Sequence, residues 1–342
     1  MADDRSEYAA TASEAARELV RDALVWDMTL PWSGDYADDD ITLPRFRRAG
    51  IDVVSLTVAG PGGDLAGTIR WIAGLTRQIA GRADEMVLCR SVAEIDAARA
   101  AGKLALIYNI QETRHFEDRL ELIGLFYDLG VRHALLAYNA KNSVGDGCAE
   151  RTDAGLSRWG LKVVKEMNRV GMLVCGTHTG YRTTMDAMDA MEGSGAPFIF
   201  SHSNAFGVYP HYRNIRDDQI EACARTGGVI GVNGLGEFLD DHEAASRSMF
   251  RHIDYMANLV GPRHVGIGLD YVRDVDGFWT WVADNDFMWP PNPNQTRTRS
   301  KFAQPEQIVE LVELMLEAGY ADDDIRGILG GNFRRVGEQV WT

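Results

Sequence analysis

The sequence runs to 342 residues, 45% of them hydrophobic and 25% charged, which is ordinary globular composition with material for a sizeable core. Its formal charge of −15, from 50 acidic against 35 basic side chains, provides no basic footprint for nucleic acid. No apolar run approaches the roughly 18 residues of a spanning helix, so a membrane partner is not expected either.

The N-terminal stretch MADDRSEYAATASEAARELV is acidic and helix-forming. It lacks a basic segment followed by an apolar one, so no signal peptide is read. From there short β-rich runs alternate with amphipathic helical patterns. The strand candidates are ALVWDMT, IDVVSLTV, LALIYNI, HALLAYN, MLVCGTH, PFIFSHS, GVIGVNG and HVGIGLD. Between them lie stretches such as ELIGLFYDLG, WGLKVVKEMNRVG and SMFRHIDYMANLVG, apolar at i, i+3 and i+4 and ending in Gly. Eight such alternations predict parallel βα units closing into a (βα)8 barrel, as one domain over residues 1–342 with C-terminal helices. No GxGxxG follows the first strand, which argues against a dinucleotide-binding open sheet. The segment MVLCRSVAEIDAARAAG reads as an additional small strand-helix unit. After GIGLD, the stretch YVRDVDGFWTWVADNDFMWPPNPNQTRTRS is rich in Trp, Pro and Asn and reads as a long loop over the barrel mouth. Cys89, Cys148, Cys175 and Cys223 form no CxxC pair, which fits reduced thiols in a cytoplasm.

In such a barrel the chemistry sits at the strand C-terminal ends. There the first predicted strand delivers Asp27 and Thr29, the third Gln111 with Glu112 beside it, and the fourth Tyr138 and Asn139. The fifth delivers His178, the sixth His202 and the last Asp270. Two histidines on consecutive strand ends plus a late aspartate are a metallohydrolase layout: neutral imidazoles bind zinc, and a carboxylate takes a proton from the water that zinc acidifies. Either histidine alone reads equally as a polar cap on a core strand. His115, His133, His211, His242, His252 and His264 are read as surface or core polar groups. Trp279, Trp281 and Trp289 suit a substrate mouth or an anchor for the long loop equally.

The stretches LGVRHALLAYNAKN, GLSRWGLKVVKEMNRVGMLV, THTGYRTT, FIFSHSNAFGVYPHYRNIRDDQI, GGVIGV, HVGIGLDY and ILGGNFRRV carry a resemblance. The sequence is similar to the membrane dipeptidase family, also called renal dipeptidase-like or peptidase family M19, along nearly its whole length. The resemblance implies an amidohydrolase-type (βα)8 barrel, zinc, and hydrolysis of dipeptides. It places His178 and His202 on the two histidine ligands of the second zinc and Asp270 on the aspartate that handles the proton of the bridging water. Arg213 falls on the arginine that grips the substrate carboxylate, with Asn214 beside it in the substrate-binding YRN run. The departures are specific. Asp27 and Thr29 stand where the family has a His-X-Asp pair, Gln111 where it has a bridging glutamate, and Tyr138 where it has an oxyanion-steadying histidine. The expectation is therefore a divergent, cytoplasmic zinc hydrolase acting on a small carboxylated, dipeptide-like substrate. One zinc per chain is expected, with two as the alternative. His178 and His202 would hold it, Gln111 or Asp27 assisting, while Asp270 and Tyr138 act as proton carrier and oxyanion donor. Compensation by Glu112, Asp146 or Glu150, and a non-hydrolytic relative that binds or rearranges a carboxylated molecule, remain open at this point. Relatives of this kind are often homodimers.

Overall fold

Nine parallel strands make a single sheet in the computed structural model, which describes residues 12–31, 41–291 and 298–341. They are β1 (Trp26–Leu30), β2 (Val53–Ala59), β3 (Met86–Leu88), β4 (Leu104–Ile110), β5 (Val131–Leu135), β6 (Leu173–Cys175), β7 (Ile199–Phe200), β8 (Val229–Asn233) and β9 (Val265–Gly268). Eight of them close a barrel, because β4 pairs with β2 and β9 with β1. The predicted extra unit is present outside it. β3 pairs with Leu104–Leu106 of β4, and β5 takes up the same edge of β4 from Tyr108 onward. Every residue of β1, β2, β4 and β5 is buried, which is why these strands read as continuous apolar runs rather than alternating ones.

The helices follow local sequence logic. In the helix Arg158–Val170, Ser157 caps the start by accepting from the Gly160 amide at 2.9 Å, and Gly171 ends it at φ 84°. Such a cap contributes about 1 kcal/mol. Val163, Val164 and Met167 face inward, one stripe of a 3.6-residue repeat. At the opposite pole from the mouth, Phe333 and Trp341 of the C-terminal segment pack on Trp26, ring centres 6.4 and 5.8 Å away. Gly330 lets the chain approach there, since a Cβ at that position would sit 2.4 Å from the Leu24 carbonyl.

The segment after β9 differs from the loop expected. It contains a ten-residue helix, Val275–Asp284, capped by Asp274 on the Gly277 amide at 2.9 Å. Trp32 and residues 292–297 of the expected lid lie outside the described residues, as do residues 1–11 of the acidic N-terminus. Among the described residues no helix is long and apolar enough to cross a membrane.

Candidate functional site

The strand ends open on a cavity of about 570 Å³, lined among others by Gln111, Tyr138, His178 and Asp270. His178 follows β6 and His202 follows β7, and the two rings meet with Nε2 atoms 3.1 Å apart. The outward nitrogens are both held. His178 Nδ1 donates to Asn139 Oδ1 at 2.7 Å, an oxygen that also accepts from the Cys148 thiol. His202 Nδ1 lies 2.9 Å from Thr29 Oγ1, whose own proton goes to the Met28 carbonyl. Ser201 Oγ lies 2.9 Å from His202 Nδ1 as well; in the tautomer with the proton on both Nδ1 atoms, the two Nε2 lone pairs face the same point. Burial, with the Arg213 charge adding to it, holds both imidazoles well below their ordinary pKa and hence neutral. Facing lone pairs need a cation between or beside them. In this structure Arg213 Nη2 supplies one, 3.1 Å from His178 Nε2.

These two residues fit a metal. Nitrogen ligands at the ordinary zinc distance around a tetrahedral centre lie roughly 3.3 Å apart, close to the separation seen. The donor set does not fit the two-metal centre of the resemblance. Among the described residues no group of three or more His, Cys, Asp or Glu side chains is arranged to hold a metal. Thr29, at a position where the resemblance expects a metal ligand, instead orients His202.

Asp270 lies on the cavity floor, its Oδ2 accepting from Asn233 at 3.0 Å. Burial raises its pKa to about 7, although Arg213 and the Asn233 amide pull the other way. Asp27 is more deeply buried. One oxygen accepts from the Leu269 and Thr29 amides at 2.8 and 3.3 Å; the other has no hydrogen-bond partner among the described residues. Burial, with the nearby Asp270 charge adding to it, raises the Asp27 carboxyl to about 8. Asn139, His178 and Asp270 all adopt left-handed backbone, at φ 52°, 65° and 55°. Strain at non-glycine residues gathers at functional sites, and here it marks three strand-end turns around one cavity.

Gln111 is held from below. Asn109 Nδ2 donates to the Ser55 carbonyl at 3.2 Å and to Ser55 Oγ at 2.9 Å, fixing which way its amide faces. Thr57 Oγ1 then donates to Asn109 Oδ1 at 3.0 Å and accepts from Gln111 Nε2 at 3.1 Å. This leaves Gln111 Oε1 for the cavity. At the foot of the ladder Ser55 Oγ meets His133 Nε2 at 2.9 Å, while His133 Nδ1 lies toward the Met28 carbonyl outside ordinary hydrogen-bond geometry. His133 is thus a core histidine of the barrel interior.

Arg213 is buried over the Phe238 ring and lines a smaller cavity of about 160 Å³ behind His178, together with Cys148 and Glu150. Asn214 borders this second cavity, but its amide nitrogen is engaged by the Tyr209 and Phe238 carbonyls, each at 2.9 Å. Glu112 turns to Arg114 at 3.2 Å and to Asn142. Asp146 ties its own loop through Lys141, Thr152 and the Ala154 amide, and Glu150 accepts from the Lys141 and Arg151 amides. These three carboxylates support loops. The Tyr138 ring stacks on His178 at 3.9 Å between centres and meets the Trp289 ring edge-on at 6.2 Å. Trp289 gathers the aromatic wall, its ring centre within 6.5 Å of Tyr138, His178, Phe238, Phe278 and Trp281. Trp281 lines the cavity, whereas Trp279 anchors the segment by donating to the Ser300 carbonyl. His115 lines the cavity as well, bonded to Thr68 and the Gly60 carbonyl.

Sequence reasoning gave Asn139, Thr29 and Asn233 no supporting role toward His178, His202 and Asp270. The available signal was polar residues at strand ends, where a core strand would otherwise close on apolar ones.

Fold and site together define a (βα)8 barrel of the hydrolase kind, with paired histidines at the mouth. Comparisons with known proteins give the family. The membrane dipeptidase (peptidase family M19) family model matches residues 35–281, and the chain belongs to that family. An uncharacterised dipeptidase of Schizosaccharomyces pombe is 32% identical over 71% of this chain and 54% of its own length. The dipeptidase aclJ of Aspergillus oryzae is 29% identical over 74% of this chain and 56% of its own. The chain thus spans about half the length of these curated relatives. Among solved structures, an amidohydrolase from Pseudomonas aeruginosa superposes with a TM-score of 0.83 at 28% identity, over 95% of this chain and 99% of that one. A metallo peptidase from Rhodobacter sphaeroides, liganded with a phosphinate mimic of L-Ala-D-Ala, shares the fold. Its TM-score is 0.77 at 20% identity, over 94% of this chain and all of that one.

Proposed function

We propose that the chain is a metal-dependent hydrolase that cleaves the amide bond of a small dipeptide-like substrate bearing a carboxylate, with one zinc on His178 and His202. The observation that carries this reading is the convergence of two neutral Nε2 lone pairs at 3.1 Å with both Nδ1 atoms held in place. The family and the names of its relatives support it. A zinc bound there supplies Lewis-acid chemistry, polarising a carbonyl and acidifying water. The protein's own groups do the rest. Arg213 now donates to a lone pair that a ligand on His178 needs. Displaced from it, the guanidinium is free to pair with a substrate carboxylate, for which its planar fork is suited. Asp270 faces the same cavity as His178 and is placed to accept and return a proton. In the metal-free protein burial raises its carboxyl to about 7, and a neighbouring metal charge would favour the ionised, proton-accepting form. Tyr138 lines the cavity beside His178, and burial keeps its phenol protonated, so its proton can be donated to a developing oxyanion. Four free thiols suit a reducing, cytoplasmic setting.

The test is metal content of protein purified without chelator, alongside hydrolysis of a dipeptide panel. We expect about one zinc per chain, since a two-histidine site cannot spare a ligand, and loss of most of it in His202→Ala with the barrel still folded. Wild-type zinc stoichiometry in that variant overturns the ligand assignment. No retained zinc and no hydrolysis, even with zinc added, overturns the hydrolase reading and favours a non-hydrolytic binder.

A further inference from the structure

The large cavity is chemically one-sided. Among the described residues the only formally charged side chains lining it are carboxylates, Asp64 at the rim and Asp270 on the floor. Among the described residues no Lys or Arg lines it; Arg213 lines the smaller cavity behind His178 instead. Six aromatic rings, Trp71, Tyr138, Phe278, Trp281, Trp289 and Phe302, form much of the wall. The helix Val275–Asp284 contributes two of them from one face, Phe278 and Trp281, spaced i, i+3. Gln111 adds an acceptor of fixed orientation, because the Thr57–Asn109 ladder holds its nitrogen away from the cavity.

Aromatic faces attract a cation through their quadrupole, and a desolvated ammonium also needs oxygen acceptors. An anion on the aromatic side of this cavity would meet ring faces and carboxylates, with the Arg213 guanidinium held on the far side of His178. We infer that this cavity is the subsite for the amine-bearing end of the substrate, selecting a protonated amine flanked by an aromatic or similarly bulky apolar group. A volume of about 570 Å³ is far larger than a small side chain needs, so shape agrees with charge. The two cavities then divide the substrate, the amine toward Gln111 and the aromatic wall, the carboxylate toward Arg213. The assignment of a substrate end rests on the hydrolase reading; the preference for an aromatic cation does not.

The test is therefore a binding measurement that needs no turnover. Protein as purified is titrated with 2-phenylethylamine, with uncharged 2-phenylethanol and with anionic 3-phenylpropanoate, by calorimetry. The amine is expected to bind about tenfold more tightly than either of the others. Gln111→Leu preserves volume and removes the acceptor; it should weaken the amine about fivefold and leave the alcohol unchanged. Trp281→Ala, a substitution near the surface, should weaken amine and alcohol alike through lost ring contact. Equal or tighter binding of the alcohol or the anion overturns the inference, and so does the absence of binding by all three at millimolar concentration. Hydrolysis separates the two readings. If no dipeptide is cleaved but the amine binds selectively, the hydrolase reading falls and the subsite stands. If Phe-Gly and N-acetyl-Phe-Gly are cleaved equally well, the subsite falls and the hydrolase stands.

Discussion

Arg213 and any ligand of His178 contend for the same lone pair. The charge and the fork of this side chain are therefore both in use. Arg213→Lys keeps the charge but cannot reproduce a bidentate grip on a carboxylate. We expect KM to rise about tenfold with kcat less affected, measured on a dipeptide the wild type cleaves. An unchanged KM argues against a carboxylate-gripping role. Asp27 has a different signature. Its raised pKa means that the folded, metal-free state holds a proton the unfolded state has released. That stabilising contribution is complete below the unfolded carboxylate pKa and is lost as pH rises toward about 8. Asp27→Asn keeps an acceptor for the Leu269 and Thr29 amides and cannot ionise. Measured by urea unfolding of metal-free protein, its stability relative to wild type should improve between pH 5 and pH 8, a range chosen to span the shift. Zinc content should stay unchanged; a loss of bound metal would make Asp27 a ligand after all. That His178, His202, Asp270 and Arg213 come together was legible because strand-end position and motif spacing are local properties of the chain. Their supports were not. Thr29 reaches His202 across 173 positions, and Asn233 reaches Asp270 across 37, distances over which no periodicity speaks.

At the scale of elements the alternation of apolar runs and amphipathic stretches revealed all eight barrel strands and the additional unit at β3, because each period is written within one element. The segment after β9 was read as a loop and is partly a helix. Its Pro and Asn residues cluster after Asp284, and their composition masked the ten residues before them. The usable signals were Asp274 as a cap and the Phe278–Trp281 pair at helical spacing. This short helix forms the aromatic wall, and its start depends on an exposed cap. Asp274→Ala removes the hydrogen bond to the Gly277 amide and should cost about 1 kcal/mol locally. Hydrogen exchange across Val275–Asp284 should accelerate while the melting temperature of the barrel moves little. Unchanged exchange there would show that the rings, rather than the cap, hold the helix.

Across the whole molecule, burial of neutral histidines is expected to set the acid limit of stability. His252, in the helix Ser246–Val260, accepts from the Ala205 amide at 3.1 Å, and burial pushes its pKa down to about 3. His133 is pushed equally low inside the barrel. A lowered histidine contributes stability that is complete above its unfolded pKa. Between pH 6.5 and about 3 that contribution falls by about 1.4 kcal/mol per pH unit. His252→Gln supplies an acceptor that does not titrate. Its stability should decline less steeply than wild type on acidification, by about that slope, in urea unfolding from neutral pH downward. Parallel acid limbs in the two proteins would place the acid limit elsewhere.

The ladder under Gln111 has a direction. Each member donates toward the next, from Gln111 through Thr57 and Asn109 to the Ser55 backbone carbonyl, an acceptor that cannot exchange roles. The sense of every rung is thus dictated from the bottom, by a peptide group that no side-chain substitution removes. What a ligand meets at the mouth, an oxygen rather than an amide nitrogen, is decided by Asn109, which lies wholly within the barrel. Recognition in this protein can therefore drift by changes that never touch the ligand. A new polarity at the surface of the cavity needs only a substitution at a rung below it, in a part of the chain that would ordinarily be counted as packing.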